Sequence, residues 1–310
     1  DTVVVANGSV ITATQTVNIA SVTVGSGGTL ELDGQGNVVY FTVQDGGKVT
    51  NNGTISVINS GNAVAMMGAS GGSMTYEGST VALSGTALGL ARVDFKPPLV
   101  VANTASVTLL DSATFYSLTV NAGGAFDHGT TGDLVMKGLL SVSSGTFTKA
   151  SGSGRVLLLG DFNLDTKGQD LGDVVIGASP DTIILTSDLY AFRMTVNSGD
   201  VLRTKGYDVT VLTDVINHGE IDATSSGNQT TIRVARNWTG QNGSTFTAGG
   251  STVRFDGISG TGTIRSANQH FGNFLLSGSG ETWSLADALY VDRQFTVSAG
   301  TLTTTGSNYH

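Results

Sequence analysis

Apolar and polar residues alternate along most of this chain with a period of two. This alternation places one face of a β-strand in a core and leaves the other face in water. Pairs that contain glycine, such as Gly27-Gly28, Gly123-Gly124 and Ser198-Gly199, separate these segments and are expected to supply positive φ at the corners. We therefore predict an all-β fold. The clearest apolar pairs are Val22/Val24, Leu30/Leu32, Val107/Leu109, Leu118/Val120, Val253/Phe255 and Phe295/Val297.

A short phrase recurs through the chain: a glycine, a small or polar residue, and then a β-branched or large apolar residue. Adjacent copies lie 19 to 25 residues apart, and the longer gaps are close to two or three times that unit. A period of ~20 residues is typical of one coil, meaning one circuit of the backbone, in a β-solenoid. The copies begin at Gly28, Gly47, Gly72, Gly124, Gly145, Gly199, Gly219 and Gly300.

A longer repeat overlies the first. Gly145-Thr-Phe-Thr148 returns as Ser244-Thr-Phe-Thr247, and Leu189-Tyr190 returns as Leu289-Tyr290, with offsets of 99 to 101 residues. Residues 145–243 and 244–310 are therefore predicted to be copies of one unit, of which the second is incomplete.

We interpret these periods as a right-handed parallel β-helix. At ~20 to 25 residues per coil it would have roughly 13 to 15 coils, and at ~4.8 Å between paired strands it would be a rod of some 60 to 70 Å. An array of β-sandwich domains uses the same turn signals and remains the alternative fold. Proline interrupts a strand, so Pro97-Pro98 indicates two solenoid segments, residues 1–98 and 99–310, that meet near residues 92–103.

Composition supports a folded β-protein. The 310 residues include 44 Gly and 42 Thr but only 4 Glu and 6 Lys, which disfavours exposed helices. Intrinsic disorder is excluded because 39% of residues are hydrophobic and only 13% are charged. Collagen is excluded because proline is scarce and glycine has no period of three.

Charge and cysteine content limit the partners. The formal net charge of −9 argues against nucleic acid, which requires a basic surface. The 20 Asp are attributed to turns, where this side chain bonds nearby backbone. The absence of cysteine excludes disulfides and thiol catalysis. No apolar run approaches the ~18 to 20 residues of a membrane span. Because the chain starts at Asp1 without an apolar leader, we expect a secreted protein whose signal peptide has been removed.

Several stretches resemble a known class of proteins. Residues 244–257, Phe271–Leu276 and Phe295–Leu302 resemble the β-solenoid repeats of large bacterial and archaeal cell-surface proteins. Gly-Gly-Thr-Leu30 and Asn-Gly-Thr-Ile55 resemble the coils of autotransporter passengers and filamentous adhesins. The resemblance covers most of the chain, but its motifs specify architecture rather than chemistry. It implies an extracellular structural or adhesive role.

The nearest approach to a metal motif is Asp161-Phe-Asn163-Leu-Asp165, which opens like a calcium loop. The loop is incomplete, since Thr166 replaces the expected glycine and Gly172 the bidentate acid. We prefer to read this segment as a strand, with Phe162 and Leu164 inward and the acidic and amide side chains outward.

Charged residues concentrate in Arg92-Val-Asp94-Phe-Lys96, before the two prolines. Arg, Lys and Asp together can serve a polysaccharide lyase, but a protruding loop or a junction between segments is the preferred interpretation. Glu220 and Asp222 share one strand face, as a glycosidase pair would, and this spacing arises readily by chance.

The remaining candidates carry little specific chemistry. The histidines are not paired at ligand spacing, and the Gly-Ser-Gly sequences at 152–154 and 278–280 lie in expected turns. Aromatic side chains offer possible sugar-stacking platforms, although the equivalent Tyr190 and Tyr290 favour a structural stack. The histidines are His128, His218, His270 and His310, the other aromatics are Trp238, Trp283 and Phe192, and glycosylation sequons start at Asn7, Asn52, Asn228, Asn237 and Asn242.

We therefore predict a protein that is not an enzyme, with no catalytic, cofactor-binding or metal-binding residues. The expected role is that of an extracellular structural protein, which forms a surface filament, a sheath or an adhesin stalk. Strand edges at Val3–Val5 and Thr301–Thr305 are expected to pair with neighbouring copies head to tail. The alternative is a β-helix protein that binds or degrades polysaccharide.

Overall fold

A computed structural model describes residues 2–33, 39–58, 64–68, 74–78, 81–83, 88–96, 98–101, 105–149, 154–177, 180–257 and 260–304. Within these ranges the secondary structure is β-strand, with no helix. The first twenty strands are β1 (Thr2–Val5), β2 (Val10–Ala13), β3 (Val17–Val24), β4 (Thr29–Asp33), β5 (Val39–Asn51), β6 (Thr54–Ile58), β7 (Val64–Gly68), β8 (Met74–Gly78), β9 (Val81–Leu83), β10 (Leu88–Ala91), β11 (Val93–Phe95), β12 (Leu99–Val101), β13 (Ser106–Leu109), β14 (Ala113–Phe115), β15 (Leu118–Val120), β16 (Ala125–Asp127), β17 (Leu134–Met136), β18 (Leu140–Val142), β19 (Thr146–Thr148) and β20 (Arg155–Leu158). The others are β21 (Phe162–Asp165), β22 (Asp173–Ile176), β23 (Thr182–Leu185), β24 (Leu189–Ala191), β25 (Arg193–Val196), β26 (Val201–Arg203), β27 (Val209–Val211), β28 (Val215–Asn217), β29 (Glu220–Asp222), β30 (Thr231–Val234), β31 (Trp238–Gly240), β32 (Thr245–Thr247), β33 (Thr252–Phe255), β34 (Thr261–Arg265), β35 (His270–Leu285) and β36 (Tyr290–Thr303).

The chain divides into two compact units, residues 1–156 and 157–310. In the first unit three families of parallel strands stack, exemplified by β10–β13–β16–β19, β11–β14–β17 and β9–β12–β15–β18. In the second unit the families are β24–β27–β30–β33–β35–β36, β22–β25–β28–β31–β34–β35 and β21–β23–β26–β29–β32. Each unit is therefore a β-solenoid.

Parallel pairing confirms the predicted β-solenoid and rules out the β-sandwich array, whose sheets are antiparallel. About 12 coils are formed, fewer than the 13 to 15 expected. The expected number was too high because coils near the N-terminus are longer: Ser21 pairs with Lys48, and Lys48 with Thr75, each 27 residues on. Handedness stays a prediction. The strand families run through residue 98 with regular partners, and the division of the solenoid there also stays a prediction.

The alternating apolar residues form the core. Register places equivalent residues of successive coils above one another, as for Val107 and Phe126, which are both fully buried. Aromatic rings extend this stacking, and the rings of Phe95 and Phe115 lie parallel with centroids 5.5 Å apart. Of the predicted core pairs, the buried ones are Val22/Val24, Leu30/Leu32, Val107/Leu109, Leu118/Val120 and Val253/Phe255.

Glycine has two different roles at the corners, although positive φ alone was expected. Gly27, the first glycine of its pair, has φ of 73° and occupies the left-handed region that glycine tolerates. For Gly28 no positive φ is found; a Cβ there would approach the carbonyl oxygens of Val5 and Ala6 in the preceding coil at 2.9 and 2.8 Å. The second glycine is therefore required by close packing between coils.

Two tight turns recur with the same hydrogen bonds 100 residues apart. In the turn 166–169 the central residues Lys167 and Gly168 have φ of 50° and 71°, and in 266–269 Ala267 and Asn268 have 55° and 64°. Positive φ at both central positions characterises a type I′ turn. In each turn the fourth residue's N–H donates to the first residue's carbonyl, at 3.0 Å and 3.2 Å respectively.

The next coil caps each of these turns with a short polar side chain. Ser187 Oγ accepts hydrogen bonds from the amides of Thr166 and Lys167, at 2.8 and 2.9 Å. Asp287 accepts from the equivalent amides of Ser266 and Ala267, both at 2.7 Å. The long repeat thus preserves a function, capping two backbone donors, with different residues.

Candidate functional site

The last strand of the second unit exposes residues that belong to the core pattern. Phe295 and Val297 on β36 are in register with Phe274 and Leu276 on β35. Phe274 and Leu276 are buried, whereas Phe295 is 51% exposed and Val297 is 45% exposed. The sequence predicted all of these positions to be core. Phe295 and Val297 depart from that prediction because no coil in the described part of the chain covers them.

The first strands of the first unit show the same feature on a smaller scale. Ile11 on β2 is in register with Leu30 on β4, and Leu30 is buried while Ile11 is 38% exposed. Among the described strands β2 pairs with β4 alone and β1 with β3 alone. Backbone N–H and C=O groups on the outer edge of each strand are thus free to pair with another strand.

A groove of about 270 Å³ lies on the side of the second unit, at the corner that follows strands β24, β27, β30 and β33. The side chain at this corner shrinks from Phe192 through Leu212 to Ala235, and Gly257 lies beyond. These small residues leave a depression next to the exposed ring of Phe192. The groove is also lined by Thr210, Val211, Arg233 and Asp256.

Two arginines meet one buried carboxylate at the end of this groove. Arg233 and Arg254 are register partners on adjacent strands, an arrangement that places like charges ~5 Å apart and is unfavourable by itself. Arg233 Nε donates to Asp256 Oδ1 at 2.6 Å, and Arg254 Nε lies 2.8 Å from Asp256 Oδ2. Asp256 thereby compensates the repulsion, and the arginine side chains remain about half exposed.

A second carboxyl group lies behind the groove. Glu281 is buried, its Oε2 lies against Gly257, and its Oε1 has no hydrogen-bond partner among the described residues. Burial and the negative charge of Asp256 raise the pKa of the Glu281 carboxyl above its ordinary value. Two carboxyl groups and two guanidinium groups therefore share this corner.

These charged residues were missed in the sequence. Each arginine alone occupies an ordinary outward strand position, in Ile232-Arg233-Val234 and Val253-Arg254-Phe255. The available signal was their separation of 21 residues, one coil, which places both at the same outward position.

The incomplete calcium motif forms part of a strand. Asn163 is exposed and Leu164 is buried, as predicted, but Phe162 is only half-buried. Asp161 Oδ1 accepts a hydrogen bond from the amide of Thr182 in the next coil at 2.6 Å. Asp165 lies 3.7 Å from Lys167 Nζ. In the part of the chain that the structure describes, no group of three or more His, Asp or Glu side chains is arranged to hold a metal ion.

The charged segment at residues 92–96 was expected to be a protruding loop or a junction, and this expectation is wrong for its centre. Val93–Phe95 is strand β11, in which Val93 and Phe95 are buried and Asp94 faces outward. Arg92 Nη1 lies 2.9 Å from Asp111 Oδ2 in the next coil. Pro98 is exposed before β12, and Pro97 lies outside the described residues.

The paired acids Glu220 and Asp222 share one face of β29, as predicted, but Asp222 is engaged locally. Its Oδ1 accepts from the amide and the hydroxyl of Thr224 at 3.0 and 2.6 Å. Among the histidines His128 is buried and His218 is exposed. His270 Nδ1 lies 2.7 Å from Asp292 Oδ1 at the surface. His310, Gly72, Thr305 and residues 152–153 lie outside the described residues.

The aromatic candidates separate by burial. Trp238 and Trp283 are buried and cannot serve as platforms. Tyr190 and Tyr290 lie on the outward face, in register with Asp170 and His270 rather than in a core ladder. Phe192 is 45% exposed and is the candidate that borders a groove.

The sequon asparagines are exposed at four positions, namely Asn7, Asn52, Asn228 and Asn242. Asn237 is engaged: its Nδ2 donates to Asp214 Oδ1 at 2.6 Å and its Oδ1 accepts from the amide of Thr263 at 2.8 Å.

Within the described ranges there is no helix of the length and apolarity that a membrane crossing requires. Comparison with models of protein families, with curated proteins and with solved structures finds no match to this chain.

Proposed function

We propose that this protein is a structural subunit of an extracellular surface, which assembles head to tail through its terminal coils. The observation that carries the proposal is the exposure of Phe295 and Val297, whose register partners in the preceding coil are core residues. A second copy that adds its first coil to β36 would bury these side chains and pair the free strand edge. Ile11 lies on the corresponding first coil.

A contact between two different faces is heterologous and, unless the rotation closes a ring, continues without limit. Such a contact predicts an open-ended series of oligomers rather than a closed dimer. Parallel pairing at ~4.8 Å would continue across each contact, so the assembly would extend the solenoid itself.

The test uses one variant for each face. Ile11→Glu and Phe295→Glu each place a charge where the contact would exclude water. Wild type is expected to give an open-ended size distribution in sedimentation velocity and fibres in electron microscopy, and each variant is expected to stay monomeric. Val10→Glu and Gln294→Glu are the matched controls, because each places the same charge on the adjacent outward position, and they are expected to assemble.

Mixing the two monomeric variants distinguishes head-to-tail from other contacts. Phe295→Glu retains an intact first coil and Ile11→Glu an intact last coil, so the mixture should form heterodimers and nothing larger. Wild type that stays monomeric at high concentration would contradict the proposal. So would dimers formed by Ile11→Glu alone, since these require contact between two last coils.

The extracellular location is supported by composition, which lacks cysteine and is poor in charge. Antibody labelling of intact cells of the source organism tests it. Labelling that appears only after the cells are permeabilised would place the protein inside.

A further inference from the structure

The groove beside Phe192 has the shape of a site for one ring. Its volume of about 270 Å³ is just below the ~300 Å³ at which pockets for small molecules begin. It opens on the side of the strand stack and is bordered by apolar surface from Leu212 and Ala235. One ring of a longer polymer can therefore occupy it while the neighbouring rings remain outside.

The charges at the end of the groove favour an anion. The hydrogen bonds to Asp256 use Nε of Arg233 and of Arg254. Their terminal Nη groups make no hydrogen bond to other described residues, and about half of each side chain is exposed. Guanidinium binds carboxylate through two parallel hydrogen bonds, which gives geometric specificity as well as energy.

The aromatic wall favours a sugar over an acidic peptide. The ring of Phe192 is exposed at one end of the groove, with the Thr210 hydroxyl and Arg233 along the same side. A flat apolar ring suits the C–H face of a pyranose, while hydroxyl and guanidinium groups suit its polar rim. An extended peptide offers no flat face to Phe192.

We propose that this groove binds one carboxylate-bearing residue of an acidic polysaccharide. The sugar ring stacks on Phe192, and its carboxylate receives hydrogen bonds from the Nη groups of Arg233, with Arg254 adding positive charge. This site is separate from the terminal coils, so it neither requires nor excludes head-to-tail assembly.

The experiment measures binding of the full chain to trigalacturonate by isothermal titration calorimetry. Neutral trigalactose, a sulfated disaccharide and hexaglutamate serve as comparison ligands. Trigalacturonate is expected to bind, with trigalactose at least about tenfold weaker, because charge-assisted hydrogen bonds are lost. Equal binding of trigalactose or of hexaglutamate would overturn the proposal, as would binding of the sulfated sugar alone.

Variants connect the binding to the groove. Arg233→Gln and Phe192→Ala are each expected to weaken trigalacturonate binding about tenfold or more. Arg203→Gln is the matched control, because Arg203 is 44% exposed and lies 3.9 Å from Asp222 on another strand family. Phe192→Ala changes an exposed side chain, so it tests the site even if Arg233→Gln unfolds. Unchanged affinity in the folded variants would refute the assignment.

Discussion

The rings of Phe274 and Phe295 stack with their centroids 5.3 Å apart, and the two residues are register partners on β35 and β36. Both occupy the same inward position of successive coils. Phe274 is 1% exposed because β36 covers it, whereas Phe295 is 51% exposed. The pair therefore compares one side chain in one stack under two degrees of burial.

Replacing each phenylalanine with alanine should have unequal effects on the free energy of unfolding. Phe274→Ala removes a buried ring and leaves a cavity, which costs about 3 to 5 kcal/mol. Phe295→Ala removes a half-exposed ring and should cost about 1 to 2 kcal/mol in the monomer. Urea denaturation at low protein concentration measures both. Equal losses would show that Phe295 is already covered in the isolated chain.

The capping residues of the two type I′ turns should be interchangeable. Asp287→Ala leaves the amides of Ser266 and Ala267 without their acceptor and should destabilise the second unit by about 1 to 3 kcal/mol. Asp287→Ser should recover part of this loss, because Ser187 caps the equivalent turn with its hydroxyl. Thermal denaturation measures the series. A serine variant no better than alanine would mean that charge, rather than hydrogen bonding, stabilises the turn.

The alternation of apolar residues was enough to predict the fold. Val107 and Leu109, for example, are buried as expected, because a period of two determines which face enters the core. The same pattern placed Phe295 in the core, since alternation does not show whether another coil covers a strand. The number of coils was overestimated because the period was taken from the shorter spacings, while Ser21 and Lys48 pair 27 residues apart.

The groove was not predictable from any single segment. Phe192, Arg233 and Asp256 come from three coils, and only the register between strands brings them together. The abundance of Asp over Glu was correctly linked to backbone bonding, but much of that bonding reaches the next coil: Asp161 accepts from Thr182 and Asp208 from Thr231. Such contacts depend on coil length, which a local motif does not contain.

Gly262 should not tolerate alanine. A Cβ at this position would overlap the indole ring of Trp283 and the carbonyl oxygen of Arg236, to which Trp283 Nε1 donates at 2.8 Å. Gly262→Ala should therefore displace the indole and cost about 1 to 3 kcal/mol, with a changed tryptophan fluorescence spectrum.

Gly227→Ala is the control for this substitution, because a Cβ there meets no heavy atom within 4 Å. It should change stability by less than about 0.5 kcal/mol and leave the fluorescence unchanged. If Gly262→Ala behaves in the same way, the indole has room to move and the packing argument for Gly262 is wrong.

Glu281→Gln should stabilise the protein at neutral pH. Burial, followed by the charge of Asp256, raises the pKa of Glu281, so the ionised carboxyl is less favourable in the folded chain than in the unfolded one. That cost is absent below the unfolded pKa and develops as pH rises through the folded pKa. The advantage of glutamine should thus be largest at pH 7 to 8 and decline toward pH 4.

Asp256→Asn provides the contrast at the same corner. It weakens the contacts with Arg233 and Arg254 and leaves their like charges uncompensated, so it should destabilise at neutral pH by about 1 to 2 kcal/mol. Melting temperatures across pH measure both variants. A Glu281→Gln variant less stable than wild type at pH 8 would show that the ionised carboxyl is favourable.

His128 should make the first unit sensitive to acid. Its burial, followed by the charge of Lys149, lowers the pKa of the imidazole from 6.5 to about 4, against the opposing effects of Gly132, Asp133 and Asp127. Between these two pKa values the unfolded chain binds a proton that the folded chain does not, so stability falls as pH decreases from 6.5 toward 4. The loss approaches about 3 kcal/mol at the lower limit.

His128→Phe removes the titrating group and keeps a ring beside Phe147, so its stability should decline less than that of wild type between pH 7 and 4.5. Phe126→Leu, in the same buried stack, should lower stability by a similar amount at every pH. Asp133, whose pKa is lowered chiefly by its hydrogen bond with Arg155, loses its contribution only as pH falls through its folded pKa, below the chosen range. Urea denaturation at each pH measures the three chains. Parallel profiles for wild type and His128→Phe would mean that His128 takes up its proton as readily in the folded chain as in the unfolded one.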